Sequence, residues 1–173
     1  MIRNPIGFPN PVNEVAARTV AAGVATMAAV AISTRQLWLT IPIAYGFVAR
    51  TLTGPRLSPL GFVATRFVAP RLGRWAKPVP GAPKRFAQAM GAAFALGALI
   101  AWLVGSGIAC VVVLAILIVP ATLEAALAYC VGCRIFGMLM RVGIIPASIC
   151  AECEDVWSRR AGPSGRPREL ATG

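Results

Sequence analysis

Two cysteine pairs are the part of this chain whose residue types and spacing could do chemistry. The pairs are Cys130 with Cys133 and Cys150 with Cys153, and sixteen residues separate one pair from the other. Three-residue spacing places both sulfurs of a pair on one face of a helix, where they could form a dithiol or half of a metal site. We therefore predict that these four residues are the catalytic cysteines of a thiol–disulfide exchange or sulfur-relay centre.

The same four sulfurs allow other interpretations. C-x2-C-x16-C-x2-C falls within the spacing of a four-cysteine zinc site, so zinc is the one cofactor that the sequence suggests. Bound zinc would make the chain a membrane scaffold or binding protein without turnover, and the sequence does not decide whether it is an enzyme. A packing role is the ordinary one for a buried cysteine, and we expect it for the unpaired Cys110. The chain has no histidine, which excludes imidazole acid–base catalysis and histidine-ligated metals.

The composition indicates which solvent surrounds these sulfurs. Of the 173 residues, 57% are hydrophobic and only 13% are charged, whereas a soluble domain has about 25% charged residues. So few charges cannot cover a surface exposed to water, and we predict that bilayer lipid surrounds most of the chain. The net charge is +11. Because the cations cluster between apolar runs, we attribute them to membrane topology and expect no nucleic acid partner.

The apolar runs predict an all-α, polytopic membrane protein with four transmembrane helices. The runs cover residues 15–33, 37–52, 85–104 and 108 to about 130. The fourth run stays apolar to about Met140, so we expect one helix that leaves the membrane near Cys130 and ends at Gly143. Pro146 is expected to start another short helix that carries the second cysteine pair. Residues 1–161 would form a single helical-bundle domain, followed by a disordered tail at 162–173.

Capping residues predict where several elements begin. Asn13 is expected to cap the first helix, and Ser58 followed by Pro59 is expected to start a short amphipathic helix at the membrane surface. The segment 78–83 contains three prolines and is predicted to be non-helical.

Charge in the loops predicts the orientation. The loop at 53–85 contains seven lysines and arginines and no acid, so this loop and both termini are predicted to be cytoplasmic. Both cysteine pairs would then lie beneath the inner leaflet, beside anionic lipids. A redox or sulfur-relay role there predicts a cytoplasmic thioredoxin-like or sulfur-carrying protein as partner.

Polar residues inside the apolar runs form a second candidate site. Glu124 lies in the fourth run, and Arg18 in the first run and Gln88 in the third fall at similar depth. A lone carboxylate in a membrane costs about 2.5–3.5 kcal/mol, so we predict that Glu124 pairs with Arg18 and that Gln88 supports the pair. Such a pair would either fix the helix register or serve a small transporter as a proton or substrate relay.

Three segments and both cysteine pairs resemble the domain of unknown function 4395 family of bacterial integral membrane proteins. The segments are GPRLSP at 54–59, PGAPKRFAQ at 80–88 and ATLEAA at 121–126. The resemblance covers about residues 8 to 155. It implies a multi-pass protein of the bacterial cell (inner) membrane and marks Gln88, Glu124 and the four paired cysteines as family positions. It implies no established activity.

Overall fold

Helices account for most of the computed structural model, which describes residues 12–72 and 78–146. The α-helices are α1 (Glu14–Ser33), α2 (Thr40–Thr53), α3 (Pro59–Val63), α4 (Ala69–Arg71), α5 (Gly81–Leu103), α6 (Gly107–Leu127) and α7 (Val131–Arg141). Short 3-10 turns precede and follow α2 at Leu37–Leu39 and Gly54–Arg56, and a π-helical turn at Ala64–Val68 joins α3 to α4. Two strands, β1 (Val12–Asn13) and β2 (Pro78–Val79), pair antiparallel.

Three helices of the described residues are long and apolar enough to cross a membrane. They are α1, α5 and α6, with 20, 23 and 21 residues. At about 1.5 Å per residue each reaches about 30 Å or more, the thickness of a bilayer core. The all-α fold is therefore confirmed, with three candidate membrane spans among the described residues. The predicted second span is shorter, because α2 has 14 residues and reaches only about 21 Å; the four-span count stays a prediction.

Small side chains line the contacts between these helices. The most extensive packing joins α1 to α6, α2 to α5 and α5 to α6. Ala28 and Ala31 of α1 and Ala95 and Ala98 of α5 are at most 1% exposed. Since lipid offers no hydrophobic drive between helices, close van der Waals packing of small residues has to hold the bundle together.

Both predicted helix caps are confirmed. The Asn13 side chain accepts hydrogen bonds from the backbone N–H groups of Val15 and Ala16 at 2.9 and 3.4 Å. The hydroxyl of Ser58 accepts from the backbone N–H of Gly61 at 3.3 Å, and Pro59 occupies the first turn of α3. Each cap satisfies backbone donors that have no acceptor within their own helix.

Two predicted helix boundaries are wrong. Helix α5 begins at Gly81 and includes Pro83, because a proline in the first turn removes an N–H that has no helical acceptor anyway. The fourth apolar run is not one continuous helix. It breaks at Ala128, which has a left-handed φ of 54°, and α7 begins three residues later. The helix expected after Pro146 and the tail lie outside the described residues.

Candidate functional site

The first cysteine pair lies at the start of α7. Cys130 is the N-cap of this 11-residue helix, and its sulfur accepts a hydrogen bond from the backbone N–H of Cys133 at 3.3 Å. The sequence predicted both residues inside a helix that runs on from α6. The break instead places the pair at the positive dipole end of a helix, a position that lowers the energy of a nearby thiolate.

Close packing on α5 fixes the position of this helix start. A Cβ built on Gly132 would lie 2.6 Å from the Cβ of Ala87, so only glycine allows α7 to approach α5 this closely. One turn further on, the rings of Phe136 and Phe86 pack with their centroids 5.6 Å apart. These contacts hold the cysteine pair against the first turns of α5, where Lys84 lies.

Lys84 forms a buried ion pair with Glu124. The lysine ammonium donates to Oε1 of the carboxylate, and the two residues are 8% and 9% exposed. The predicted pairing of Glu124 with Arg18 is therefore wrong. The sequence predicts Lys84 in a loop, because the prolines at 78–83 conceal the start of α5. Once α5 begins at Gly81, Lys84 lies on a helix that packs directly on α6.

Arg18 has a different role. Its guanidinium donates from Nε to the carbonyl of Ala125 and from Nη2 to the carbonyl of Ala126, both at 3.0 Å. These carbonyls belong to the last turn of α6 and lack helical donors, so a cation there satisfies them and complements the helix dipole. Arg18 thus stabilises the end of α6 immediately before the cysteine pair.

Gln88 contacts a residue that the sequence analysis did not single out. Its Oε1 accepts from Nε of Arg50 at 3.0 Å, and Nη1 of Arg50 donates to the hydroxyl of Ser58 at 2.8 Å. Arg50 is only 4% exposed. A signal existed in the sequence, since Arg50 is the one charged residue in the apolar run at 37–52.

Two cavities open beside these groups. The cysteine cavity, about 100 Å³, is lined by Lys84, Gln88, Glu124 and Cys130 together with apolar residues of α1, α2, α5 and α6. The arginine cavity, about 220 Å³, is lined by Arg50, Lys84, Gln88 and Asn13 among others. Lys84 and Gln88 line both cavities, so the ion pair and the buried arginine belong to one polar end of the bundle.

The two thiols of the first pair have pKa values that are shifted in opposite directions. The pKa of Cys133 is lowered, chiefly because the Cys130 thiol donates a hydrogen bond to its sulfur, and the nearby Lys84 ammonium acts in the same sense. The pKa of Cys130 is raised, because the hydrogen bond to Cys133 favours its protonated form and burial adds to the effect. Both residues follow the end of α6, outside the membrane-spanning segments. Cys133 is therefore the more acidic thiol of the pair.

The other predicted sulfurs are not part of this cluster. Cys110 is fully buried near the start of α6, which places it about 25 Å along the helix from the cysteine pair and agrees with packing. Cys150 and Cys153 lie outside the described residues. Within residues 12–72 and 78–146, no group of three or more histidine, cysteine or acidic side chains could hold a metal ion. The predicted four-cysteine zinc site thus depends on residues beyond this part of the chain.

Comparison with known proteins gives one match. The family model described as "Domain of unknown function (DUF4395)" matches residues 12–141, which include α1 to α7. No curated protein and no solved structure matches the chain.

Proposed function

For this chain, which belongs to the domain of unknown function 4395 family, we propose a function in thiol–disulfide exchange or sulfur relay at a membrane surface. The observation that carries the proposal is the geometry of Cys130 and Cys133 at the start of α7, beside the buried Lys84–Glu124 pair. A cysteine that only fills space needs neither a helix N-terminus nor a neighbouring cation. Either feature activates a thiol, because each stabilises the thiolate.

The exchange begins with the more acidic sulfur. The Cys133 thiolate attacks the disulfide of a partner, forms a mixed disulfide and releases one partner thiolate, which takes the proton of the Cys130 thiol. The Cys130 thiolate then attacks Sγ of Cys133, forms the Cys130–Cys133 disulfide and releases the second partner thiolate, which takes a proton from solvent. Two thiols of this chain are oxidised and one partner disulfide is reduced to two thiols. In reverse, the chain oxidises a partner dithiol.

The setting of this chemistry belongs to the same proposal. Four spans would place both termini, the 53–85 loop and the first cysteine pair on the cytoplasmic side of a bacterial cell membrane, as the loop charges predict. A thioredoxin-like or sulfur-carrying protein would be the soluble partner. Cys150 and Cys153 would exchange with the first pair. The exposed apolar rings of Phe62 and Phe67, on the segment that also carries Arg66 and Arg71, suit contact with anionic lipid.

Thiol titration of single variants tests the proposal. The detergent-solubilised protein is treated with oxidised glutathione, and the free thiols are counted before and after. We expect the wild-type chain and Cys110→Ala to lose two thiols from the first pair reversibly, as mass mapping of the Cys130–Cys133 disulfide would show. Cys133→Ser should abolish that disulfide. If oxidation leaves Cys130 and Cys133 unlinked, or if Cys133→Ser does not change the rate of mixed-disulfide formation, the proposal fails.

A further inference from the structure

Among the described residues, Arg50 is a buried cation without an acidic partner. It is 96% buried, since its exposed fraction is 4%, and its guanidinium lies over the Phe47 ring at 4.7 Å from the centroid. Its Nε and Nη1 donate to neutral oxygens of Gln88 and Ser58. Among the described residues, its Nη2 has no hydrogen-bond partner.

The nearby carboxylates do not compensate this charge. Glu14 and Glu124 are the two carboxylates of the described chain, and the ion pair that the structure forms is between Lys84 and Glu124. A guanidinium stays charged in proteins. Burying a guanidinium without a counter-ion is strongly unfavourable, because no opposite charge offsets the lost hydration. The position therefore favours a ligand of negative charge.

The space beside Arg50 fits such a ligand. The arginine cavity has a volume of about 220 Å³, several times the roughly 30 Å³ that one water takes in the liquid. Lys84, Gln88 and Asn13 also line it, and the planar guanidinium matches the oxygens of a tetrahedral oxyanion. Apolar residues of α1 and the backbone around Gly61 close the remaining walls.

We propose that the arginine cavity binds a tetrahedral oxyanion at the guanidinium of Arg50, with Gln88 and Lys84 beside it. The shared chemistry is that of sulfate and of a phosphate group, which either a free ion or the headgroup of an anionic lipid supplies. No thiol lines this site, although Lys84 and Gln88 line the cysteine cavity as well. It goes beyond the proposed exchange reaction.

Thermal unfolding in detergent tests the site with sulfate as the probe. Sodium sulfate is compared with sodium gluconate at equal ionic strength, for the wild-type chain, Arg50→Gln and the exposed-cation control Arg66→Gln. At ten times its Kd, sulfate should raise the unfolding midpoint of the wild-type chain and of Arg66→Gln by about 3–6 °C. Arg50→Gln should show no such rise. Equal rises in Arg50→Gln and in the wild-type chain overturn the proposal.

A second variant keeps the test decisive if Arg50→Gln does not fold. Gln88→Glu places a carboxylate where Oε1 already contacts Arg50, so the chain supplies its own anion. We expect a higher midpoint without sulfate and a lost response to sulfate. A Gln88→Glu chain that still responds like the wild-type chain contradicts the proposal.

Nanodiscs distinguish the source of the anion. The midpoint is compared in discs of phosphatidylcholine alone and discs that also contain phosphatidic acid. An Arg50-dependent rise with phosphatidic acid but not with sulfate supports the site and assigns the phosphate to a lipid headgroup. If neither sulfate nor phosphatidic acid stabilises the wild-type chain, the arginine cavity is not an oxyanion site.

Discussion

Replacing Lys84 with methionine separates the electrostatic role of the ion pair from simple packing. The change removes the ammonium and keeps most of the side-chain volume. Glu124, which is 9% exposed, then stays buried without its partner. Removing one member of a buried ion pair costs about 3–5 kcal/mol, because the remaining charge is uncompensated. For a chain of this size, that loss lowers the unfolding midpoint by about 6–20 °C.

The double variant Lys84→Met/Glu124→Gln tests whether this loss belongs to the pair. It leaves no buried charge at the site, so we expect it to recover most of the stability lost in Lys84→Met. Arg66→Met is the matched control, since it removes an exposed cation and should change stability by no more than about 0.5 kcal/mol. The loss of stability is also measured for Glu124→Gln alone. If the losses in Lys84→Met and Glu124→Gln add up to the loss in the double variant, the two side chains are not energetically coupled.

The pH dependence of Cys133 alkylation measures the electrostatic effect of Lys84 and Glu124 independently of protein stability. The pKa of Cys133 is lowered. The rate at which iodoacetamide labels Cys133 should therefore reach half its maximum at a pH below about 8.5, the ordinary pKa of cysteine. Lys84→Met should move this midpoint to higher pH, because the ammonium favours the thiolate. Glu124→Gln should move it to lower pH, because the carboxylate disfavours the thiolate. Shifts in the same direction, or no shift in either variant, would refute the reasoning.

Three further variants test how the cysteine pair is positioned. Gly132→Ala puts a methyl group about 2.6 Å from Ala87 Cβ and should lower the unfolding free energy by about 1–3 kcal/mol; an unchanged midpoint contradicts this. Arg18→Gln removes two charged donors from the end of α6 and should lower the unfolding free energy by about 1–3 kcal/mol. The pH profile of Cys133 alkylation should stay unchanged, whereas a shift would link Arg18 to the thiols. Ala128→Gly relieves a left-handed residue and should raise stability by up to about 1 kcal/mol in thermal unfolding.

Local signals predicted the parts of the fold that depend on neighbouring residues alone. The apolar runs that became α1, α5 and α6 are long enough to identify by length and composition. Asn13 and Ser58 cap their helices as predicted, because a cap depends on residues within one turn.

The errors arose where tertiary contacts decide the outcome. The run after α6 is apolar enough to continue as a helix, and nothing near Ala128 in sequence opposes it. Arg18, more than 100 residues away, caps the carbonyls at this point, and Gly132 lets the next helix pack on α5. Lys84 was missed for a related reason. A proline-rich segment looked non-helical, although proline is compatible with the first turn of α5.

The break between α6 and α7 connects the fold to the proposed chemistry. A single helix through Cys130 and Cys133 would satisfy their backbone N–H groups with carbonyls of the preceding turn and offer none to a sulfur. Ending α6 at Leu127 frees these groups, and the sulfur of Cys130 caps the new helix by accepting from the backbone N–H of Cys133. The left-handed Ala128 costs about 1–2 kcal/mol. A strained residue persists only where surrounding contacts impose it, and here those contacts are the Arg18 cap and the packing of Gly132 on Ala87. The contact of Gly132 with Ala87 therefore both helps to impose the strain and holds Cys133 near Lys84.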